Sequence, residues 1–337
     1  WLLLDDENMV LRTDIYCILL LLLSGTAWGD IEVTKTGDAV VDSKALTIRG
    51  GFGQGINGLA FQQDAVVSHR GYQYVGYYDA SRQVCLARRE LPGGEWAIVR
   101  FADYQFTSND AHNTISIGVC PQDDTIHLAF DHHGHPLHYR VSRKAAVRNP
   151  QRTAWEASLF GPVMSELEQG KPIKITYPRF WQTPDGGLQF CYRQGGSGNG
   201  DRMLVDYEPD TGTWVDTRQI DSRGGLFQDD MGESRSRCSY PNGYNYGPRG
   251  RLHATWVWRE SSQGSNHDLI YTYSEDGGKT WFNNLGESLS EPAHVNSPGV
   301  AVVNINRAHG LMNTHGQAVD SQGRVHVVMS VSYTHLT

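Results

Sequence analysis

Asp124-Thr125-Ile126-His127-Leu128 carries the pattern that decides the fold: a turn residue, an apolar residue, a His or Gln, then a strand-like run. It returns as Gly71-Tyr72-Gln73-Tyr74-Val75, Gly187-Leu188-Gln189-Phe190-Cys191, Arg251-Leu252-His253-Ala254-Thr255 and Arg324-Val325-His326-Val327-Val328. Between Gln73, His127, Gln189, His253 and His326 the steps are 54, 62, 64 and 73 residues. Blades of a β-propeller run to roughly 40–50 residues, so each step fits one blade with loop insertions. Helical spacing is scarce, and only Val163 to Gln169 reads as a short helical turn. The expectation is an all-β chain, a β-propeller of six or seven blades, seven in the full protein and C-terminally truncated here.

Ser274-Glu275-Asp276-Gly277-Gly278-Lys279-Thr280-Trp281 points the same way. It fits the S-x-D-x-G-x-T-W turn known as the Asp-box of sialidase-like propellers, in which Asp and Gly set the turn and Trp packs between blades. A β-sandwich or β-helix offers neither this turn nor the long step. The motif speaks for a fold and not for a reaction.

Composition agrees with a turn-rich globular protein. Among 337 residues there are 37 Gly, 16 Tyr and 9 Trp, with 20% charged and 39% hydrophobic. A net charge of −8 argues against a nucleic-acid surface, which needs a basic stripe to displace phosphate counterions. Met9, Arg12, the apolar run from Ile18 to Leu23 and Ser24-Gly25-Thr26-Ala27-Trp28-Gly29 have the three regions of a secretory signal, with cleavage expected after Gly29. That apolar run is too short for the ~20 residues of a membrane span, so no membrane attachment is expected after cleavage. Residues 1–29 are thus read as leader and signal, 30–330 as the propeller, and 331–337 as non-native read-through; the protein is expected to be a secreted monomer, extracellular or periplasmic. Cys85, Cys120, Cys191 and Cys238 remain, without a CxxC pair; Cys120 and Cys191 read as buried free thiols.

In a propeller the start of each blade's first strand and the end of its second meet at one rim of the central opening. The first-strand starts fall at Asn57, His112 and Asn113, Tyr177, Tyr240 and Asn313; the second-strand ends fall at Tyr77 and Tyr78, Asp131 and His132, Arg193, and Val257 and Trp258. Taken singly these are ordinary strand-end residues, and His132 belongs to a His-rich turn, Asp131-His132-His133-Gly134-His135. Taken together, His112, His132, Tyr177 and Arg193 put two imidazoles and a phenol that can exchange protons beside a fixed cation. No Asp/Glu pair is equally placed, which disfavours a two-carboxylate glycosidase. A uronate sugar is easier to serve: a cation neutralises the C6 carboxylate, a base takes the C5 proton, and an acid protonates the departing O4.

The stretch Ala111-His112-Asn113-Thr114-Ile115-Ser116-Ile117-Gly118, with Leu128 to His135, Tyr177-Pro178-Arg179-Phe180, Tyr192-Arg193-Gln194-Gly195-Gly196, Asn266-His267-Asp268-Leu269 and Asn306-Arg307-Ala308-His309-Gly310, resembles the BNR-repeat propeller polysaccharide lyases, which include ulvan lyases and rhamnosyl-glucuronate lyases. The resemblance implies a lyase acting on an acidic polysaccharide. Arg193, helped by His132, would neutralise the carboxylate, and Tyr177 and His112 would share the base and acid roles in either order. His133 replaces His132 if the turn is shifted by one. Arg193 is expected to lower the Tyr177 pKa.

Arg235, Arg237, Tyr240, Asn245 and Tyr246 form a polar and aromatic stretch suited to sugar binding, with Asn113, His133, His309 and Asn313 as further substrate contacts. The chemistry needs no cofactor. Cys238, His253 and His267 are candidate ligands for a structural metal, zinc or calcium, on the same resemblance, although His253 also holds the repeat's marker position. The alternatives are a sialidase-like glycoside hydrolase and a non-catalytic carbohydrate-binding propeller.

Overall fold

The computed structural model describes residues 2–4, 34, 35, 37–48, 55–58, 65–261 and 264–332. Apart from 2–4, the leader and signal region lies outside the described residues, as does the chain from 333 onward. From Val66 the described chain runs through five larger antiparallel sheets, with a two-stranded hairpin of Phe227–Asp229 and Gly232–Ser234 between the third and the fourth. The first holds Val66–His69, Tyr72–Tyr78, Gln83–Glu90 and Ala97–Gln105 in sequence order. The second holds Ile115–Cys120, Thr125–Phe130 and Tyr139–Val141, extended by bridges from Tyr139 to Met164 and Ser142 to Phe160. The third is Lys174–Gln182, Leu188–Gly196, Asn199–Glu208 and Thr213–Asp221, with His133–Pro136 added along the free edge of the first of these. The fourth is Cys238–Tyr246, Leu252–Arg259, Asn266–Ser274 and Ala301–Val303; the fifth holds Gly316–Val319 and Val325–Val328, with Leu2–Leu4 paired outside the latter.

Every repeat copy lies on the second strand of its sheet, as its spacing predicts. The markers are cross-links: His127 bonds Tyr139 Oη at 2.6 Å and Thr125 Oγ1 at 2.7 Å, His253 bonds Tyr271 Oη at 2.9 Å, and Gln189 accepts from Trp181 and Tyr246. Core clusters lie between consecutive sheets. Tyr74, Leu86 and Phe101 pack on Ile117, Leu128 and Phe130; Ala129 and Tyr139 pack on Phe180, Phe190 and Trp214; Leu204 and Ile220 pack on Trp256, Trp258 and Trp281. All residues of Ile115–Cys120 and Thr125–Phe130 are buried, because both faces of this sheet are covered by neighbours, and strict alternation is lost. The first strands are the inner ones: a Cβ on Gly118 would sit 2.7 Å from the Phe180 side chain, and one on Gly243 would sit 2.9 Å from Gln317. This is face-to-face stacking of sheets around an axis, a β-propeller.

In the Ser274–Trp281 turn, Asp276 Oδ1 accepts from the amides of Lys279 and Thr280, and Gly277 and Gly278 have φ of 73° and 89°. Arg218 and Gln189 of the third sheet donate to the carbonyls of Gly278 and Gly277, tying two sheets together. The expected helical turn at 163–169 does not form. Met164 and Glu166 make bridges to Tyr139 and Pro172 instead, and among the described residues the short 3-10 turns are Pro150–Arg152 and Ala157–Leu159.

Candidate active site

One rim of the inner strands gathers the polar side chains. Tyr177 sits at a bulge, since Thr176 pairs with Arg193 and Arg179 with Cys191, leaving an extra residue on its strand. Its φ of 54° is rare for a bulky residue and turns the strand where the phenol enters the rim. His133–Pro136 adds to the same strand, with His133 opposite Thr176. The His112 and His133 rings stack with centroids 4.3 Å apart, and each lies close to Tyr177, at 5.9 and 5.8 Å. The Tyr240 ring is 6.0 Å from Tyr177, and Arg193 Cζ lies over both tyrosines, at 5.0 and 5.5 Å.

Asp110 completes the cluster. His112 Nδ1 is 2.5 Å from one carboxylate oxygen and His133 Nδ1 is 2.6 Å from the other, and the His112 amide donates to the first oxygen at 2.9 Å. Burial alone would raise the Asp110 pKa, but the hydrogen bonds from both histidines hold it well below the carboxylate range. Tyr177 behaves oppositely. Burial and the neighbouring Tyr240 raise its pKa strongly, and Arg193 offsets only part of that rise, so the expected lowering is corrected: the phenol keeps its proton at neutral pH.

Arg193 is 1% exposed. Nη1 donates to Cys238 Sγ at 3.5 Å, Nε has no hydrogen-bond partner, and among the described residues no carboxylate pairs with the guanidinium. A buried cation normally has an anion beside it, because desolvation is otherwise uncompensated.

A model of the BNR repeat-containing family matches residues 72–335, most of the chain. The chain belongs to that family. The long-isoform ulvan lyase of Pseudoalteromonas sp. (strain PLSV) is 24% identical over 332 residues, covering 80% of this chain and 32% of that protein. The short-isoform ulvan lyase of Alteromonas sp. (strain LOR) is 23% identical over 295 residues, covering 71% of this chain and 53% of that protein. The chain thus spans about a third of the long-isoform relatives. Among solved structures, the polysaccharide lyase Uly1 superposes with a TM-score of 0.68 at 21% identity over 83% of this chain and 67% of that one. A PL25 ulvan lyase bound to -[GlcA(1-4)Rha3S]- superposes with a TM-score of 0.59 at 15% identity, over 82% of this chain and 66% of that one. These likenesses establish the propeller of this BNR-family chain.

Five of the rim residues named from sequence do come together: His112, His133, Tyr177, Arg193 and Tyr240. His132 does not join them. It is buried beside His138, whose amide donates to its Nε2 at 2.8 Å, and burial first, then neighbouring histidines, push its pKa well below 6.5. Asp131, with φ of 63°, turns the chain so that His133 takes the rim position. Asn113 is fully buried, donating to Asp131, and so supports the turn rather than lining the opening. Arg237 is buried in an ion pair with Glu260 at 2.7 Å and anchors the loop carbonyls of Arg223 and Gly225. Arg235 is exposed beside Glu233. Asn245 and Tyr246 lie at the far end of the strand that begins at Cys238, roughly 20 Å from the Tyr240 end at ~3.3 Å per residue, and Tyr246 bonds Gln189 there. Asn313 accepts from Arg259 at 2.7 Å, and Arg259 in turn reaches the Tyr240 ring. His309 is half-buried in the loop before the fifth sheet, its carbonyl accepting from Ser332.

The proposed metal set is not assembled. Cys238 Sγ accepts from Gly198 N at 3.1 Å and from Arg193, His253 pairs with Tyr271, and His267 is held by Glu260 at 2.7 Å and Asp268 at 3.0 Å. Among the described residues only Asp110, His112 and His133 bring three ligand atoms close enough for an ion. Their N···O separations of 2.5 and 2.6 Å are those of hydrogen bonds, whereas ligands about 2.0–2.1 Å from zinc in a tetrahedron stand roughly 3.3 Å apart. The donor set therefore fits shared protons better than a metal. The four cysteines among the described residues are buried and free, as read for Cys120 and Cys191.

Proposed function

We propose that this chain is the catalytic propeller of a polysaccharide lyase that cleaves a uronate-containing polysaccharide, ulvan-like or rhamnosyl-glucuronate, by β-elimination. The observation that carries the reading is the buried guanidinium of Arg193, without a carboxylate partner among the described residues and flanked by Tyr177, Tyr240 and the His112–His133 pair. A uronate carboxylate supplies the missing anion, and its neutralisation acidifies the C5 proton. His133 assists as a donor to the same carboxylate.

A base then removes the C5 proton, the electron pair forms the C4–C5 double bond, and the C4–O4 bond breaks with O4 taking a proton. Because Tyr177 keeps its proton, it is the acid that serves O4, and His112 is the base. No cofactor enters this balance. The relatives' names, and the glucuronate–rhamnose ligand of one neighbour, support the same substrate class. Glycoside hydrolysis is less well equipped: both Asp110 oxygens are committed to histidines, and Asp131 is held by Asn113 and Tyr104. The acidic polymer would be met outside the cell by a secreted monomer.

The test is a panel of polyuronates incubated with purified protein and read by the ultraviolet absorbance of the unsaturated uronate. Absorbance should rise with ulvan or a rhamnosyl-glucuronate. Release of reducing ends without that absorbance would assign hydrolysis instead.

A further inference from the structure

We propose that Asp110 is the positioning residue of the site, one carboxylate oxygen taking the Nδ1–H of His112 and the other that of His133, so that both rings do their chemistry through Nε2. The inference rests on the lyase reading for its kinetic consequence but not for its geometry.

A carboxylate with a strongly lowered pKa is an acceptor only. Nitrogens at 2.5 and 2.6 Å from its two oxygens must therefore both be donors, which fixes the Nδ1–H form in two rings at once. Free imidazole prefers its proton on Nε2, so the arrangement is imposed. Asp110 is itself held in place: its Oδ1 also accepts the His112 amide, its own amide is bonded to Ser108 Oγ at 2.8 Å, and its carbonyl accepts from Asn113. The two rings stack within 25° of parallel and stand nearly equidistant from the Tyr177 ring.

For the proposed reaction, His112 then offers a basic Nε2 toward C5. His133, on gaining a second proton, offers Nε2–H to the uronate carboxylate, with the Asp110 charge supporting that cation. One acid thus serves two histidines with different tasks. The shared chemistry differs from a metal cage, in which both Nδ1 atoms would be lone-pair donors.

The experiment is long-range proton–nitrogen NMR of ¹⁵N-histidine-labelled protein, paired with elimination kinetics of Asp110→Asn and Asp110→Glu. In the wild type, His112 and His133, assigned by single substitution, should both show Nδ1–H, unchanged by EDTA. An amide presents one acceptor oxygen, so Asp110→Asn should return one ring to Nε2–H and lower kcat by roughly 10²- to 10⁴-fold with KM altered only a few-fold, the size seen when a histidine loses its orienting carboxylate. Asp110→Glu should keep at least one Nδ1–H and recover part of the rate. A wild-type ring protonated on Nε2 and not on Nδ1, nitrogen shifts that move with EDTA, or an Asn variant that changes tautomer at unaltered kcat would overturn the proposal. Wild-type protein that eliminates no polyuronate yet shows both Nδ1–H rings would end the lyase reading while leaving the tautomer assignment intact. The wild-type spectrum is decisive even if a variant fails to fold.

Discussion

Replacing Arg193 with methionine separates its two possible roles. As a structural ion, its loss would leave a partner charge uncompensated and cost about 3–5 kcal/mol. No carboxylate pairs with it among the described residues, and its contacts are one 3.5 Å hydrogen bond to a thiol and two cation–π contacts near 5 Å. Such contacts are worth about 0.5–2 kcal/mol each, set against several kcal/mol of desolvation, so folding should change by no more than about 2 kcal/mol in either direction. Catalysis has no such compensation. A unit charge about 4 Å from a carboxylate at an effective dielectric of 20 contributes ~4 kcal/mol, which corresponds to about 10³-fold in rate. Arg193→Met should therefore unfold within ~2 kcal/mol of wild type in urea while elimination falls about 10³-fold, and Arg193→Lys should recover part of the rate. A loss of more than 3 kcal/mol, or retained turnover, would refute the argument that this cation is kept for a bound anion.

Tyr177→Phe removes the proton donor but keeps the ring, so kcat should fall by roughly 10²- to 10⁴-fold with oligosaccharide affinity within a few-fold, measured by calorimetry. Because burial raises its pKa, wild-type activity should show no gain from phenolate formation between pH 7 and 9. Burial would lower the His267 pKa, but hydrogen bonds to Asp268 and Glu260 outweigh it and raise the pKa above 6.5; that contribution to stability is complete below 6.5 and lost as pH rises through the folded value. Glu260 is shifted down to about 2 by His267 and Arg237 against burial, so its contribution is present above 4.5 and fades as pH falls toward 2. The Tm should accordingly decline on the alkaline side, and His267→Gln should flatten that decline; parallel curves for both proteins would exclude His267 as its source.

The repeat pattern was legible because each copy occupies the same strand of its sheet, and in three copies the His or Gln is tied to an aromatic side chain of an adjacent strand or sheet. Strand counting then found His112, Tyr177, Arg193 and Tyr240. It failed where the backbone departs from regular pleating. One left-handed residue, Asp131, exchanges His132 for His133, the one-residue shift that the His-rich turn left open and that a periodicity of two cannot decide. Asn245 and Tyr246 were grouped with Tyr240 by nearness in sequence, although a nine-residue strand carries them to the opposite rim. Arg237 and His267 look like ligands in one dimension; in three they are buried charges satisfied by Glu260. Asp110 left no signal beyond lying two residues before His112, and its role depends on a contact with His133, 23 residues away.

Several departures from ordinary folding rules meet at the rim that holds Tyr177. Asp131 and Tyr177 hold positive φ, Arg193 is buried without an ion-pair partner among the described residues, and the Tyr177 phenol is buried close to that cation. Strain of about 1–3 kcal/mol at each backbone outlier persists only when surrounding structure imposes it. That structure is present: the core clusters stack each sheet against the next, and Asn113 and Tyr104 both donate to Asp131. Conflict between local preference and fold is expected where function has selected it. The far rim offers the contrast, for Tyr246, Gln189, Asp206 and Arg218 are mutually hydrogen-bonded there. The same propeller thus has one rim that its own side chains satisfy and one that gathers a buried cation, a phenol and paired imidazoles with no carboxylate on the cation among the described residues.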